Sequence, residues 1–468
     1  IDYSELSLAK FSDNGFYNNL LTIAQLLNAN KTEHSLKKMS MRYSSENEEL
    51  KNLIFKKDQL QLDLQKKYKI FDNLRSLSTS VRNIEEEKLI FEEIKIIKDN
   101  IKNTKYIIDE TFPTFEEISS NKLINFNEIK KILEPDEAIL YFLSDHSATA
   151  IFLIKNNTIL SSRSLLTIEE LDKLIIQLRE SLDISEISAY EEIKPFPTEI
   201  SQKLYKELIS VFENDLSDTD HLFIVPTSRM HAIPFAALVD DSYASNDISK
   251  TKIPWLIEKY SMSILPSINS LKILRSLKFK DDTQNKLETF VGIGNPKFRK
   301  ENKNISEVEI SFNQLFSKGA LADVKLINNF TELPETEKEL RLMGNNFEEN
   351  KRTILTREEA NESQIKNMDL SKSDVIVFST HAVINGEIEN DEPGLILSPP
   401  LVASKENDGI LTMSEILNLK LNADFVILSA CNTALGENNY SEPLSGLARA
   451  FFFAGAKSLL VSNWAVES

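Results

Sequence analysis

One cysteine, Cys431, is all that this 468-residue chain contains. So little cysteine excludes an internal disulfide, a Cys-x-x-Cys redox pair and a cysteine-rich zinc site, and it suits a reducing compartment, so the cytoplasm is the expected location. No apolar run approaches the ~18 residues of a membrane span, and the first residues lack a signal-peptide pattern, so no membrane association is expected. Basic residues are outnumbered, 54 against 72 acidic, and the net charge of −18 repels phosphate backbones and anionic lipid surfaces. Nucleic acid is therefore set aside as a direct partner. Histidine is scarce too, and His34, His146 and His221 show no metal-ligand spacing with one another, so no metal and no cofactor is expected. What is present suffices for a globular protein: 41% apolar residues, enough for a buried core, and a length that suggests two to four domains at ~100 to 200 residues each. The chain begins at Ile1 and stops at Ser468 just past an apolar strand-like run, and is expected to be part of something longer.

Turn residues are rare before residue 112, where two long helical patterns stand. Leu50, Leu53, Leu60, Leu64, Phe71 and Leu74 fall on a and d positions of a heptad, interrupted by Lys57 and Lys67. Ile90, Ile94, Ile97, Ile101 and Ile108 line one face of the second pattern, with Glu and Lys opposite, so an antiparallel helical hairpin is expected. Its stripe needs a cover: the next domain, a recognised partner, or a neighbouring unit of a helical repeat array. After "LEPDEA" the pattern changes to strands: "AILYFLS", "TAIFLIK" and "NTILSSRS" read as an antiparallel meander. Amphipathic helices then alternate with the strands "LFIVP", "SMSILP", "TFVGIGNP", "DVIVFSTH", "ADFVILSAC" and "KSLLVSNW", the signature of an α/β sheet with mostly parallel strands. We divide the chain into a helical arm at 1–130 and two α/β segments at 131–300 and 301–468. Gly292-x-Gly294 fails as a dinucleotide fingerprint, because Lys297 stands at the third glycine and Pro296 breaks the helix that should follow.

Reactive groups in an open α/β sheet gather beyond the carboxyl ends of its strands. His381 ends "DVIVFSTH" and Cys431 ends "ADFVILSAC", and on neighbouring strands, ~4.8 Å apart, imidazole and thiol would meet. A thiol of pKa ~8.5 is mostly protonated at neutral pH; an adjacent histidine favours the thiolate, which attacks a carbonyl carbon. The backbone N–H groups of Cys431 and Ala382 are the candidates for an oxyanion site. Against this stands the ordinary behaviour of a free cysteine, a small buried hydrophobe. Other candidates carry less: His231 in "RMHAIPFAALVD" reads as a structural turn. Glu387, Asp391 and Glu392 read as a solvated loop, where an acidic group would select basic side chains, and Glu415 as a helix-start carboxylate.

"VIVFSTHAVINGE", "EPGLILSPP", "DGILTMSEILNLKLNADFVILSACNTALGE", "EPLSGLARAFFFAGAKSLLVSNWAVES" and "HAIPFAALVD" together resemble the CHAT family, the caspase-like domain associated with tetratricopeptide repeats. The resemblance is dense from about 370 to 468, looser back to about 135, and the helical stretch at 15–112 resembles the segment that commonly precedes this domain in bacterial proteins. It implies a caspase-like α/β sheet with flanking helices, in which 131–300 is a half without its own dyad (a pseudo-caspase half) and 301–468 is the active half. It also implies a thiol protease of the caspase, gingipain and separase clan, with His381 as base and Cys431 as nucleophile. Asn463, Trp464 and Ala465 correspond to the strand that lines the substrate cleft. The implied partners are a protein substrate and a regulatory protein bound through the helical or repeat region. Ala382 and Asn463 stand where many relatives have Gly and His. Two rivals remain: a catalytically inactive caspase-like scaffold presenting the helical arm, and a thiol acyltransferase sharing the nucleophile.

Overall fold

The computed structural model describes residues 21–23, 25, 48–76, 84–111, 123–144, 148–182, 195–242, 253–276, 287–299, 322–383, 393–404, 407–429 and 446–462. The chain falls into two compact units, one formed by Leu36–Lys122 with Ser276–Asp282 and the other by Ile1–Ser35, Leu123–Arg275 and Thr283–Ser468.

The smaller unit holds α1 (Glu48–Ser76) and α2 (Ile84–Thr111). They run antiparallel, as the isoleucine stripe requires: Leu50 and Ile54 of α1 pack on Ile108 late in α2, while Phe71 meets Phe91 early in α2 with ring centroids 6.0 Å apart. Lys67, which breaks the heptad seam, does so by reaching across to Glu93 at 2.5 Å. Ile94 and Ile108 are buried, whereas Leu89, Phe91, Ile96 and Tyr106 of the same helix are more than half exposed.

The larger unit carries two five-stranded sheets. The first forms around α3 (Phe126–Ile132), β1 (Glu137–Ser144), β2 (Thr149–Ile154), β3 (Ile159–Ser164), α4 (Ile168–Glu180), α5 (Thr198–Leu208), β4 (His221–Val225), β5 (Ser261–Ile264) and α6 (Ile268–Ser276). Its strand order is β3-β2-β1-β4-β5; the meander is antiparallel, and β4 and β5 join parallel to β1 and to each other. Period-two alternation sorts β1 between two cores. Leu140 and Phe142 pack with Leu171 and Leu204 of α4 and α5, and Ile139 and Tyr141 with Ile129 and Ile268 of α3 and α6. Reciprocal capping boxes, Thr167 with Glu170 and Asn125 with Glu128, fix the starts of α4 and α3. Leu21 also packs into the second of these cores, and Gln25 exchanges hydrogen bonds with the backbone of Ile124 at 2.8 and 3.0 Å.

The second sheet comprises β6 (Phe290–Pro296), β7 (Arg352–Arg357), β8 (Val375–Ser379), β12 (Phe425–Leu428) and β13 (Leu459–Val461), all parallel, in the order β13-β12-β8-β6-β7. Between β6 and β7 come α7 (Val324–Ile327) and α8 (Pro334–Gly344), and before β8 comes α9 (Glu362–Asn367). The short strands β9 (Ala382–Val383), β10 (Gly394–Ile396) and β11 (Ile410–Thr412) form a separate antiparallel sheet; α10 (Met413–Ile416) and α11 (Gly446–Ala454) complete the unit. The sequence division at residue 300 puts β6 in the first half, whereas β6 pairs with β7 and β8; a strand buried along its whole length carries no mark of which sheet it joins.

Alternation again assigns faces. Ile376, Phe378, Val426 and Leu428 point into a core with Ile365, Ile416 and Phe451 of α9, α10 and α11. Val375 and Val377 point the other way, with Phe290 and Leu340, so that α8 covers this second face. Here the two glycines of "GIGNP" find their use: a Cβ on Gly292 would stand 2.9 Å from Leu340 Cδ2, and one on Gly294 would stand 2.6 Å from the Ser379 carbonyl oxygen. They let α8 and β8 approach β6.

Candidate active site

β8 ends at Ser379, and the chain continues through Thr380, 2% exposed, to His381. Thr380 donates its hydroxyl to the Ile396 carbonyl at 2.5 Å and Ile396 N–H donates to the His381 carbonyl at 2.9 Å, so the backbone on both sides of the imidazole is tied to β10. Ala382 lies in β9, the edge strand of the small sheet, opposite Leu395. Because His381 and Ile396 form the hydrogen-bonded pair, the N–H of the next residue, Ala382, turns away from β10.

The imidazole is only partly exposed. Its ring lies against Phe330 and Phe298, with centroids 5.2 and 6.1 Å away, and these belong to a small core with Ile327, Ile396 and Ile410. Nε2 stands 2.8 Å from the carbonyl oxygen of Thr331. A carbonyl only accepts, so Nε2 carries a proton and donates it; in the neutral ring Nδ1 is then the nitrogen with the free lone pair. Thr331 is held by its neighbour: Glu332 pairs with Lys297 at 2.9 Å and with Arg357 at 2.8 Å. Burial pushes the Glu332 carboxyl up, but the hydrogen bonds from Lys297 and Arg357 outweigh it and hold the group below the usual carboxylate range.

β12 runs parallel to β8 as its immediate neighbour, with Phe425 beside Val375 and Leu428 beside Phe378. Ser429 N–H extends the ladder by donating to the Phe378 carbonyl at 2.9 Å. At this end of the strands, Ser379 Oγ donates to Glu339 Oε2 of α8 at 2.9 Å and Ser429 Oγ to the same oxygen at 3.5 Å. Cys431, Asn463, Trp464 and Ala465 lie outside the described residues, as do His34, His146, Glu387, Asp391 and Glu392. The structure thus describes His381 and Ala382 of the sequence-derived site. It adds Thr331, Glu332 and Glu339, which the sequence reading did not find.

A second charged cluster pins the loop ahead of β11. Glu362, fully buried, contacts Lys366 Nζ at 2.7 Å and accepts from the N–H groups of Asp408 and Gly409 at 2.7 and 2.5 Å; Lys366 also reaches Glu415 at 2.7 Å. Burial pushes Glu362 up to about 7 against the pull of Lys366 and the Gly409 N–H. Glu415 forms the capping box of α10 with Thr412, the role expected of it. His231 lies in a 3-10 turn with its Nδ1 enclosed and unpartnered, and burial lowers it to about 4. Among the described residues no group of three or more His, Cys, Asp and Glu is placed to hold a metal ion, and no helix is long and apolar enough to cross a membrane.

No curated protein matches the chain. Among solved structures, a chain of the Saccharomyces cerevisiae separase–securin complex matches with a TM-score of 0.37 and 12% identity, over 97% of this chain and 34% of that one. The chain therefore spans about a third of the length of that neighbour. The model of the CHAT domain matches residues 198–468, more than half of the chain, which covers β4 and β5 of the first sheet and the whole of the second. The chain belongs to the CHAT-domain family, and its fold is α/β, with sheets flanked by helices.

Proposed function

We propose that the chain is a cysteine endopeptidase in which His381 is the base and Cys431 the nucleophile. One observation carries the reading. Each residue of β8 from Val375 to Phe378 stands beside the residue 50 positions later in β12, Val375 beside Phe425 and Phe378 beside Leu428, and in the sequence Cys431 follows His381 by the same 50. In the sequence both residues come three positions after the last strand pair, and the two strands they follow are neighbours, ~4.8 Å apart.

In this mechanism Nδ1 takes the Cys431 proton while Nε2–H stays on the Thr331 carbonyl, which orients the ring and stabilises the imidazolium. The thiolate attacks the peptide carbonyl carbon, and the oxyanion is received by the N–H groups of Ala382 and Cys431. Collapse breaks the C–N bond as imidazolium gives its proton to the leaving amine. Water then loses a proton to Nδ1 and attacks the thioester, and expulsion of sulfur, reprotonated from the imidazolium, frees the carboxylic acid and restores the thiol. Asn463, Trp464 and Ala465 contact substrate on this reading. On the same reading a protein partner on the helical region, extended by tetratricopeptide repeats in a bacterial cytoplasm, regulates access.

The test is cleavage-site mapping in a cell extract with wild type, Cys431→Ala and His381→Ala. New termini that appear only with wild type support the proposal. Termini that persist in Cys431→Ala refute it, and an acyl group passed from Cys431 to added amines in preference to water favours the transferase. No cysteine-dependent product, together with slow alkylation of Cys431, favours the scaffold.

A further inference from the structure

Glu339 stands apart from the other charges of α8. Its neighbours pair on the helix surface, Lys338 with Glu335 at 2.7 Å and Arg341 with Glu337 at 2.8 Å. Glu339 instead turns toward the sheet, where its carboxylate holds the Ser379 and Ser429 hydroxyls at 2.9 and 3.5 Å. Among the described residues no lysine or arginine is paired with it. A partly buried carboxylate supported by two neutral hydroxyls is short of the cation that a desolvated charge calls for.

Its position gives that vacancy a meaning. Residues two apart on a strand share a face. Ser379 precedes His381 by two and Ser429 precedes Cys431 by two in the sequence, so the carboxylate lies at the ends of the two neighbouring strands from which the chain runs on to the proposed dyad. Two residues of strand rise are about 6.6 Å, which matches the roughly 6 Å reach of a lysine ammonium on its four-carbon stem and suits the slightly longer arginine. We propose that Glu339 determines specificity, its carboxylate receiving the lysine or arginine side chain of the residue whose carbonyl is attacked. This rests on the peptidase reading of His381 and Cys431. The ligand is a cationic side chain in an extended peptide; acidic side chains are repelled.

The experiment labels Cys431 covalently in the full chain with peptidyl acyloxymethyl ketones that differ only in their last residue, Arg, Lys, Leu or Asp, and reads rates by intact mass. Hydrogen bonds to a charged group are strong enough to predict that wild type reacts with the Arg or Lys reagent roughly tenfold to a hundredfold faster than with the Leu reagent. Glu339→Gln keeps an acceptor for both serine hydroxyls while removing the charge, and it should collapse the Arg-to-Leu ratio toward one. Lys338→Ala, on the exposed side of α8, should leave the ratio as in wild type. An unchanged ratio in Glu339→Gln, or equal wild-type rates with all four reagents, overturns the role of Glu339 while cysteine labelling that depends on His381 leaves the peptidase reading standing. Failure of every reagent to label Cys431 overturns both.

Discussion

Replacing Gly294 by alanine should damage both the sheet and the proposed site, and Gly292 supplies the internal control. The added methyl at 294 would stand 2.6 Å from the Ser379 carbonyl oxygen and 2.8 Å from Leu340 Cδ1. Comfortable carbon contacts lie near 3.5 Å, so the overlap with the carbonyl approaches 1 Å. Leu340 can swing aside, but the Ser379 carbonyl belongs to the backbone of β8, paired to β6 at Gly294 and to β12 on its other side. At 292 the methyl meets only the ends of Leu340 and Phe290, at 2.9 and 3.0 Å. Overpacking costs about 1–3 kcal/mol, and the two sites divide that range: Gly292→Ala near 1 kcal/mol, Gly294→Ala near 3 kcal/mol. Ser379 also precedes His381 by two residues, so relief of the clash at 294 passes to the imidazole. Misplacement by about 1 Å can cost ~100-fold in rate, and Cys431 alkylation should slow far more in Gly294→Ala than in Gly292→Ala. Thermal midpoints and alkylation rates measured on both variants check this. A Gly294→Ala chain as stable as Gly292→Ala, with an equal alkylation rate, would refute the close-approach argument.

Two further outcomes follow from the charged clusters. Glu332→Ala removes two half-exposed ion pairs worth about 0.5 kcal/mol each; the thermal midpoint should barely move. Turnover by the proposed peptidase should fall at least tenfold, because Thr331 no longer holds its carbonyl on His381, and equal loss in a surface control such as Glu335→Ala would contradict this. Glu362 has its folded pKa raised above 4.5 to about 7, so its contribution is fully present below pH 4.5 and lost as pH rises through 7. Over that window wild type should lose roughly 3 kcal/mol relative to Glu362→Gln; parallel stability curves at pH 5 and 8 would contradict the assignment.

Much of the scaffold was readable in the residues. The meander at β1 to β3 and the strands β6, β8 and β12 announce themselves as apolar runs closed by turn residues, and the isoleucine stripe of α2 gives its buried face. β7, "RTILTR", escaped because its polar flanks and half-exposed edge position dilute the strand pattern. β9, β10 and β11 are two or three residues long, too short for any periodicity to register. The site divides in the same way. His381 is visible because histidine after an apolar strand is unusual, while the acceptor that orients it is a main-chain carbonyl, which every residue has. Glu339 is one of three glutamates in "PETEKELRLMG", and only the rotation of α8 over the sheet distinguishes it from Glu335 and Glu337. The glycines of "GIGNP" illustrate the opposite case: rejected as a phosphate loop on spacing, they owe their presence to helix packing that no spacing encodes.

The most direct test of the dyad is the pH dependence of Cys431 alkylation in wild type and His381→Ala, unambiguous because the chain has one thiol. Wild type should react rapidly at neutral pH, with an apparent thiol pKa well below ~8.5, and His381→Ala should react slowly with its profile moved up. Slow alkylation that is the same in both proteins would contradict the account.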